Sequence, residues 1–168
     1  MDKTLVEKFM KLFRGYEKAH GQYRVQKKEA DGKMSGRALT VSEPATLTHF
    51  ENHLIIMLRE NNSCNFGVID VDIRGEVKLN ETLEELEKKI RSTPLVLCRS
   101  KSGGAHLYLF CDPSIAAIDM VGKLNEFAAQ LGYGGAEIFP KQISRANERD
   151  RGNWINLCYW DGNDTERY

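Results

Sequence analysis

The stretch "FGVIDVDIRG", residues 66–75, sets two carboxylates two positions apart inside an otherwise apolar run. Alternation along a strand sends Ile69, Val71 and Ile73 to one face and Val68, Asp70 and Asp72 to the other. The isoleucine and valine set suits a core covered by helices, so the aspartates are expected on the open face of a sheet. There they lie roughly 6–7 Å apart, and they repel unless a cation or a hydrogen-bond network stands between them. Hard divalent ions such as Mg²⁺ or Mn²⁺ take oxygen ligands, and a carboxylate pair can bridge two of them. The same D-x-D also fits a solvated strand end with one aspartate paired to Arg74.

Downstream of this strand, Leu79, Leu83, Leu86 and Ile90 share one face of a helix expected over 80–91, with Thr82 and Glu85 at capping-box spacing. "PLVLCRS" (94–100) and "AHLYLF" (105–110) read as two strands joined by "KSGG". A further helix is expected from Ser114, as N-cap, through Val121, Leu124, Ala128 and Leu131 to Gly132. "AEIFP" (136–140) and "NWINLCYW" (153–160) supply two short strands, the second setting Trp154 to pack or to stack a base.

Upstream, Leu5, Phe9, Leu12, Phe13 and Tyr16 recur at helical spacing, and Gly21 can end that helix. Residues 24–40, "RVQKKEADGKMSGRALT", read as a mobile hairpin or loop. A second helix is expected around Leu47, Phe50, Leu54 and Met57, with Thr48 and Glu51 as its capping box. The expectation is one α+β domain over 1–168. An N-terminal helical and basic-loop section (1–62) precedes an RRM-like antiparallel sheet (63–160) with helices on one face.

Composition narrows the class. The chain has 168 residues, 41% of them apolar and 29% charged, as ordinary globular domains do. Lys+Arg and Asp+Glu both number 24, so bulk charge does not grip a polyanion, and any nucleic-acid contact must come from local patches. Cys64, Cys98, Cys111 and Cys158 form no C-x-x-C pair, which argues against a zinc ribbon and a disulfide framework alike. No zinc is expected, and the thiols read as buried and free. No run approaches the roughly 18 apolar residues of a membrane span. These features together describe a soluble protein of a reducing, cytoplasmic compartment.

Two more groups carry chemistry. Ser102, Gly103 and Gly104 make a permissive turn whose amides can cradle phosphate, with Lys101 beside it and His106 opening the next strand. An ordinary hairpin with a surface histidine has the same pattern. Glu137 alternates with Ala136 and Ile138 and can reach the polar face as a third carboxylate, followed by Lys141 and Gln142. It also fits a surface glutamate on an edge strand.

In order, "DVD", "SGGAH" and "EIFPKQ…GNWINL" resemble the archaeo-eukaryotic primase superfamily, in its primase-polymerase branch of phages, plasmids and mobile elements, over about residues 20–160. The resemblance implies template-directed nucleotidyl transfer from nucleoside triphosphates on single-stranded DNA, dependent on two Mg²⁺ or Mn²⁺ ions. It places the metal carboxylates at Asp70, Asp72 and Glu137 and the triphosphate-contacting histidine at His106. Lys101, Ser102, Gly103, Gly104 and Lys141 then fall to the nucleotide. Two features depart from the family: Glu stands at the third position where Asp is commoner, and there is neither a zinc-binding cysteine set nor a helical accessory domain.

Lys27, Lys28, Lys33 and Arg37 before the sheet, and Arg145, Arg149 and Arg151 after Glu137, can line a template path or simply decorate solvated loops. A helicase or accessory domain, in cis or in trans, is an expected partner, and the ending "DGNDTERY" reads as the front of a longer polypeptide. A phage-encoded protein of this kind works in the host cytoplasm. Two other classes use some of the same residues: a metal-dependent phosphoesterase or nuclease, and a non-catalytic RRM-like module whose "GGAHLYLF" strand stacks bases.

Overall fold

The computed structural model describes residues 3–28, 34–46, 54–73, 76–100 and 104–158. The chain is α+β, and its described residues form three helices and two four-stranded antiparallel sheets. The elements run α1 (Lys3–Leu12), β1 (His20–Lys28), β2 (Met34–Val41), β3 (Leu54–Ile56), β4 (Ser63–Val71), α2 (Glu76–Ile90), β5 (Leu95–Arg99), β6 (Ala105–Ala116), α3 (Ala117–Leu131), β7 (Glu137–Phe139) and β8 (Trp154–Asn156). The first sheet is ordered β2-β1-β3-β8 and the second β5-β6-β4-β7. Among the described residues no helix is long and apolar enough to cross a membrane.

The alternation around Asp70 holds. Ile69, Val71 and Ile73 join Leu107, Leu109 and Leu95 in a core closed by Leu86 and Ile90 of α2 and by Met120, Leu124 and Ala128 of α3. Gly67 lies on this face. A Cβ there would stand 2.5 Å from Leu124 Cδ1 and 2.6 Å from Met120 Cγ, so a glycine lets α3 lie close on β4. At the start of β4 a register shift between Cys64 and Phe66 interrupts the period. Cys64 consequently faces the helices while Phe66 faces away, as a bulged residue permits.

The opposite face of the second sheet is covered, not open. Phe66, Val68, Cys98, Tyr108 and Phe139 pack there against Ile55 and Ile155 of the first sheet, against Met57 and Leu157 just past its β3 and β8, and against Phe13. Phe13 meets Phe66, Tyr108 and Phe110 edge-on, with ring centroids 5.2, 5.3 and 5.2 Å away. The expected open sheet is therefore one layer of three: helices, second sheet, first sheet.

Other expectations are corrected on the same grounds. Leu54 and its neighbours form a strand, not the end of a helix. Ile55 faces the inter-sheet core and Ile56 a separate cluster with Tyr16, Ala19 and Trp154, so successive residues are buried on opposite sides. The rest of that expected helix, 47–53 with the Thr48–Glu51 capping box, lies outside the described residues. The basic 24–40 stretch is the hairpin of its two readings, pairing as β1 and β2, and the section expected to be helical is mostly strand among its described residues. The first helix ends at Leu12, and Gly21 sits within β1.

Helix α2 begins at Glu76, which puts Thr82 in its interior rather than at its cap. Helix α3 begins at Ala117 after Ala116, without a side-chain cap; Ser114 remains in β6, where Arg59 and Ser63 donate to its hydroxyl. Gly132 does end α3, in the left-handed conformation that glycine favours. Finally, β8 pairs with β3, so the strand around Trp154 belongs to the first sheet and the core region 63–160 spans both.

Candidate functional site

β4 is a central strand, and its last residues order the site. Asp70 stands opposite His106 of β6 on one side and opposite Glu137 of β7 on the other, while His106 stands opposite Cys98 of β5. Directly opposed residues share a face, so one row across four strands reads Cys98, His106, Asp70, Glu137. It runs along the rim of the inter-sheet core. Val68 is fully buried, the Asp70 side chain is 25% exposed, and Asp72, just past the strand end, is exposed. Two carboxylates are tolerated in this apolar strand because the buried face ends where they begin.

The electrostatics of the row are uneven. Burial, reinforced by the charges of Asp72 and Glu137, pushes the Asp70 carboxyl up to about 6, and the nearby Lys141 cation offsets part of the rise. Glu137 is paired with Lys141, Nζ to Oε2 at 2.9 Å, and the Lys141 ammonium also sits 4.9 Å over the Phe139 ring. His106 is buried, which drives its pKa down to about 4 and keeps the ring neutral near neutral pH. Its Nε2 is 3.5 Å from Asp70 Oδ1, and its Nδ1 is 3.1 Å from the Tyr108 hydroxyl. Tyr108 donates in turn to the Asn156 carbonyl of β8, 3.3 Å away. A polar chain thus runs from the rim through the second sheet into the first.

The hairpin expected to cradle phosphate is described only at its two ends, Ser100 and Gly104. Lys101, Ser102 and Gly103 lie outside the described residues. Gly104 is placed: a Cβ there would meet the Val71 carbonyl oxygen at 2.5 Å and the Ile73 nitrogen at 3.4 Å, so the turn rests against the chain on either side of Asp72. Ser100 closes the turn. Its amide donates to the Gly104 carbonyl and its hydroxyl accepts from the Gly104 amide, both at 2.9 Å.

Ser100 and Tyr108 are the site-supporting residues that sequence reasoning did not single out. A small hydroxyl residue just before a glycine turn, and an aromatic two positions from His106, were the available signals.

The basic residues do not gather here. Arg145 donates from its amide to Asn62 Oδ1 at 2.9 Å and from its guanidinium to the carbonyls of Asp150 and Glu148, and it stacks 4.4 Å from the Tyr16 ring centre. Arg151 donates to the Tyr16 hydroxyl at 2.7 Å. Both therefore sit near the start of β4, roughly 20 Å from Asp70, and serve the fold there. Arg149 is exposed in the same loop. Lys27, Lys28 and Arg37 have their backbones in the β1–β2 hairpin, with side chains outside the described residues, and Lys33 lies outside them altogether. Trp154 is partly buried against Tyr16, Ala19 and Ile56, which makes it a packing residue.

Oxygen donors that repel one another, with no thiolate in the set, match the chemistry of a hard divalent cation. Among the described residues no three His, Cys, Asp or Glu side chains already converge as metal ligands, and Glu137 is turned to Lys141 instead. The cysteines are free thiols. Of the aromatic residues in "GGAHLYLF", Tyr108 is fully buried, so it presents no ring for a base to stack on. No protein-family model and no curated protein matches the chain.

Proposed function

We propose that this chain is a primase-polymerase catalytic domain that joins nucleoside triphosphates on a single-stranded DNA template. The observation that carries the reading is the row of Asp70, Glu137 and His106 across three strands, with the Gly104 turn resting beside Asp72. Three sequence segments far apart in the chain, each weak alone, meet at one rim. The sheet that bears them would be the RRM-like layer of such a domain, backed by a second sheet.

Asp70, Asp72 and Glu137 would hold Mg²⁺ or Mn²⁺. When bound, those ions supply the Lewis acidity that activates an attacking hydroxyl and neutralises a leaving pyrophosphate. The remaining work falls to the chain itself. His106, neutral and oriented through Tyr108, would contact a phosphate tail at the rim. Lys141 adds a positive charge at the edge of the row. Neutral overall charge implies weak, salt-sensitive grip on the template by these residues alone.

The test supplies single-stranded DNA, Mn²⁺ or Mg²⁺ and labelled ribo- or deoxynucleotides without a primer. Short products that disappear in Asp72→Asn support the reading. Cleavage of the DNA without consumption of triphosphate would indicate a nuclease instead. DNA binding unaffected by loss of the acids, with no product, would indicate a binding module.

A further inference from the structure

We propose that Lys141 is a charge latch on the carboxylate row: it holds Glu137 in the nucleotide-free protein, and an arriving triphosphate draws it off and frees Glu137 for a divalent metal. The inference rests on the reading of the acids as a metal site.

Lys141 follows the end of β7 by two residues, with its ammonium beside Glu137 and over the Phe139 ring. The pair is close, at 2.9 Å, yet both side chains are about half exposed, at 43% and 58%. An exposed pair of this kind is weak and exchanges readily. A triphosphate tail offers the same ammonium several oxygens and more negative charge than one carboxylate. The ammonium also lies 4.9 Å from the centre of the Phe139 ring, an attraction that survives a change of anion. No covalent bond or proton moves; one cation exchanges its anion.

The exchange frees Glu137, whose carboxylate the pair with Lys141 otherwise occupies. It makes metal and nucleotide binding mutually dependent. Each must strengthen the other by the same factor.

Mn²⁺ titrations followed by electron paramagnetic resonance, without nucleotide, test the latch on five proteins: wild type, Lys141→Met, Lys141→Arg, Glu137→Gln and the double variant Lys141→Met with Glu137→Gln. Lys141→Met should bind Mn²⁺ several-fold more tightly than wild type, about two- to fivefold. In the Glu137→Gln background the same lysine substitution should change Mn²⁺ affinity little, because the latch has lost its partner. Lys141→Arg should restore wild-type affinity. Equal affinities for wild type and Lys141→Met, or a tightening of the same size with Glu137 absent, would overturn the latch and leave the metal site standing. Failure of wild type and Lys141→Met alike to bind Mn²⁺ would overturn both the latch and the proposed function.

Discussion

His106 Nε2 and Asp70 Oδ1 face each other at 3.5 Å across the β4–β6 ladder, and burial pushes the two groups toward their neutral forms from opposite sides. Near neutral pH this is a neutral imidazole beside a carboxyl that resists ionisation, not an ion pair.

Their contributions to stability therefore oppose each other. Asp70 rises from 3.8 to about 6, so its contribution is full below about 4 and is lost as pH rises through about 6. His106 falls from 6.5 to about 4, so its contribution is full above about 6.5 and is lost as pH falls through about 4. Each is worth at most about 3 kcal/mol. Asp70→Asn removes one slope and leaves the other. Its Tm should fall more steeply than wild type on acidification from about pH 7 to 4, and should exceed wild type at higher pH. Parallel melting curves across that range would mean the two groups are not perturbed as described.

Metal and nucleotide responses should separate along the row. Asp72→Asn should lose most of the rise in Tm that Mn²⁺ gives wild type. His106→Ala should keep much of that rise, weaken triphosphate binding and reduce turnover. The opposite result for His106→Ala, with metal response gone and nucleotide binding intact, would make the histidine a metal ligand.

Gly104→Ala tests the seat of the hairpin. Its new methyl would sit 2.5 Å from the Val71 carbonyl oxygen, a backbone atom with no rotamer to adopt. The turn or the strand exit must shift, at a cost of about 1–3 kcal/mol. Nucleotide affinity should fall with it. A variant of unchanged stability and affinity would show that the turn does not bear on the site.

Tyr108→Phe should cost about 1–3 kcal/mol, because the Asn156 carbonyl and buried His106 Nδ1 both lose a partner. Urea unfolding should show a lower midpoint at unchanged m. A shift of the His106 ring resonances in nuclear magnetic resonance would report the lost orientation. An unchanged histidine spectrum would separate the tyrosine from the site.

Period-two alternation made much of this legible in advance. It correctly divided Ile69, Val71 and Ile73 from Val68 and Asp70, and the same period separates Tyr108 from Leu107 and Leu109. It could not say what covers the second face, because Phe66, Val68 and Tyr108 are as consistent with helices as with another sheet. The partners, Ile55 and Ile155, lie in three-residue strands too short to carry a pattern. The bulge beside Cys64 was hidden for a similar reason, since one extra residue leaves no trace in hydropathy. Ser114 looked like an N-cap by residue type, yet long-range pairing kept it in β6 until Ala116. Arginines after Glu137 suggested a template path, but the β7 chain runs back toward the start of β4 and carries Arg145 away from the acids.

That same return path has a mechanical consequence. The element order passes between the two sheets only twice, from β3 to β4 and from β7 to β8, and both passages lie at the Asn62 end, where the Asn62 side chain clasps the Arg145 amide. The layers are thus bound like the pages of a book, spine at Asn62 and fore-edge at Asp70. If the two sheets rock against each other, the spine will scarcely move, while the spacing of the layers at the Asp70 rim changes most.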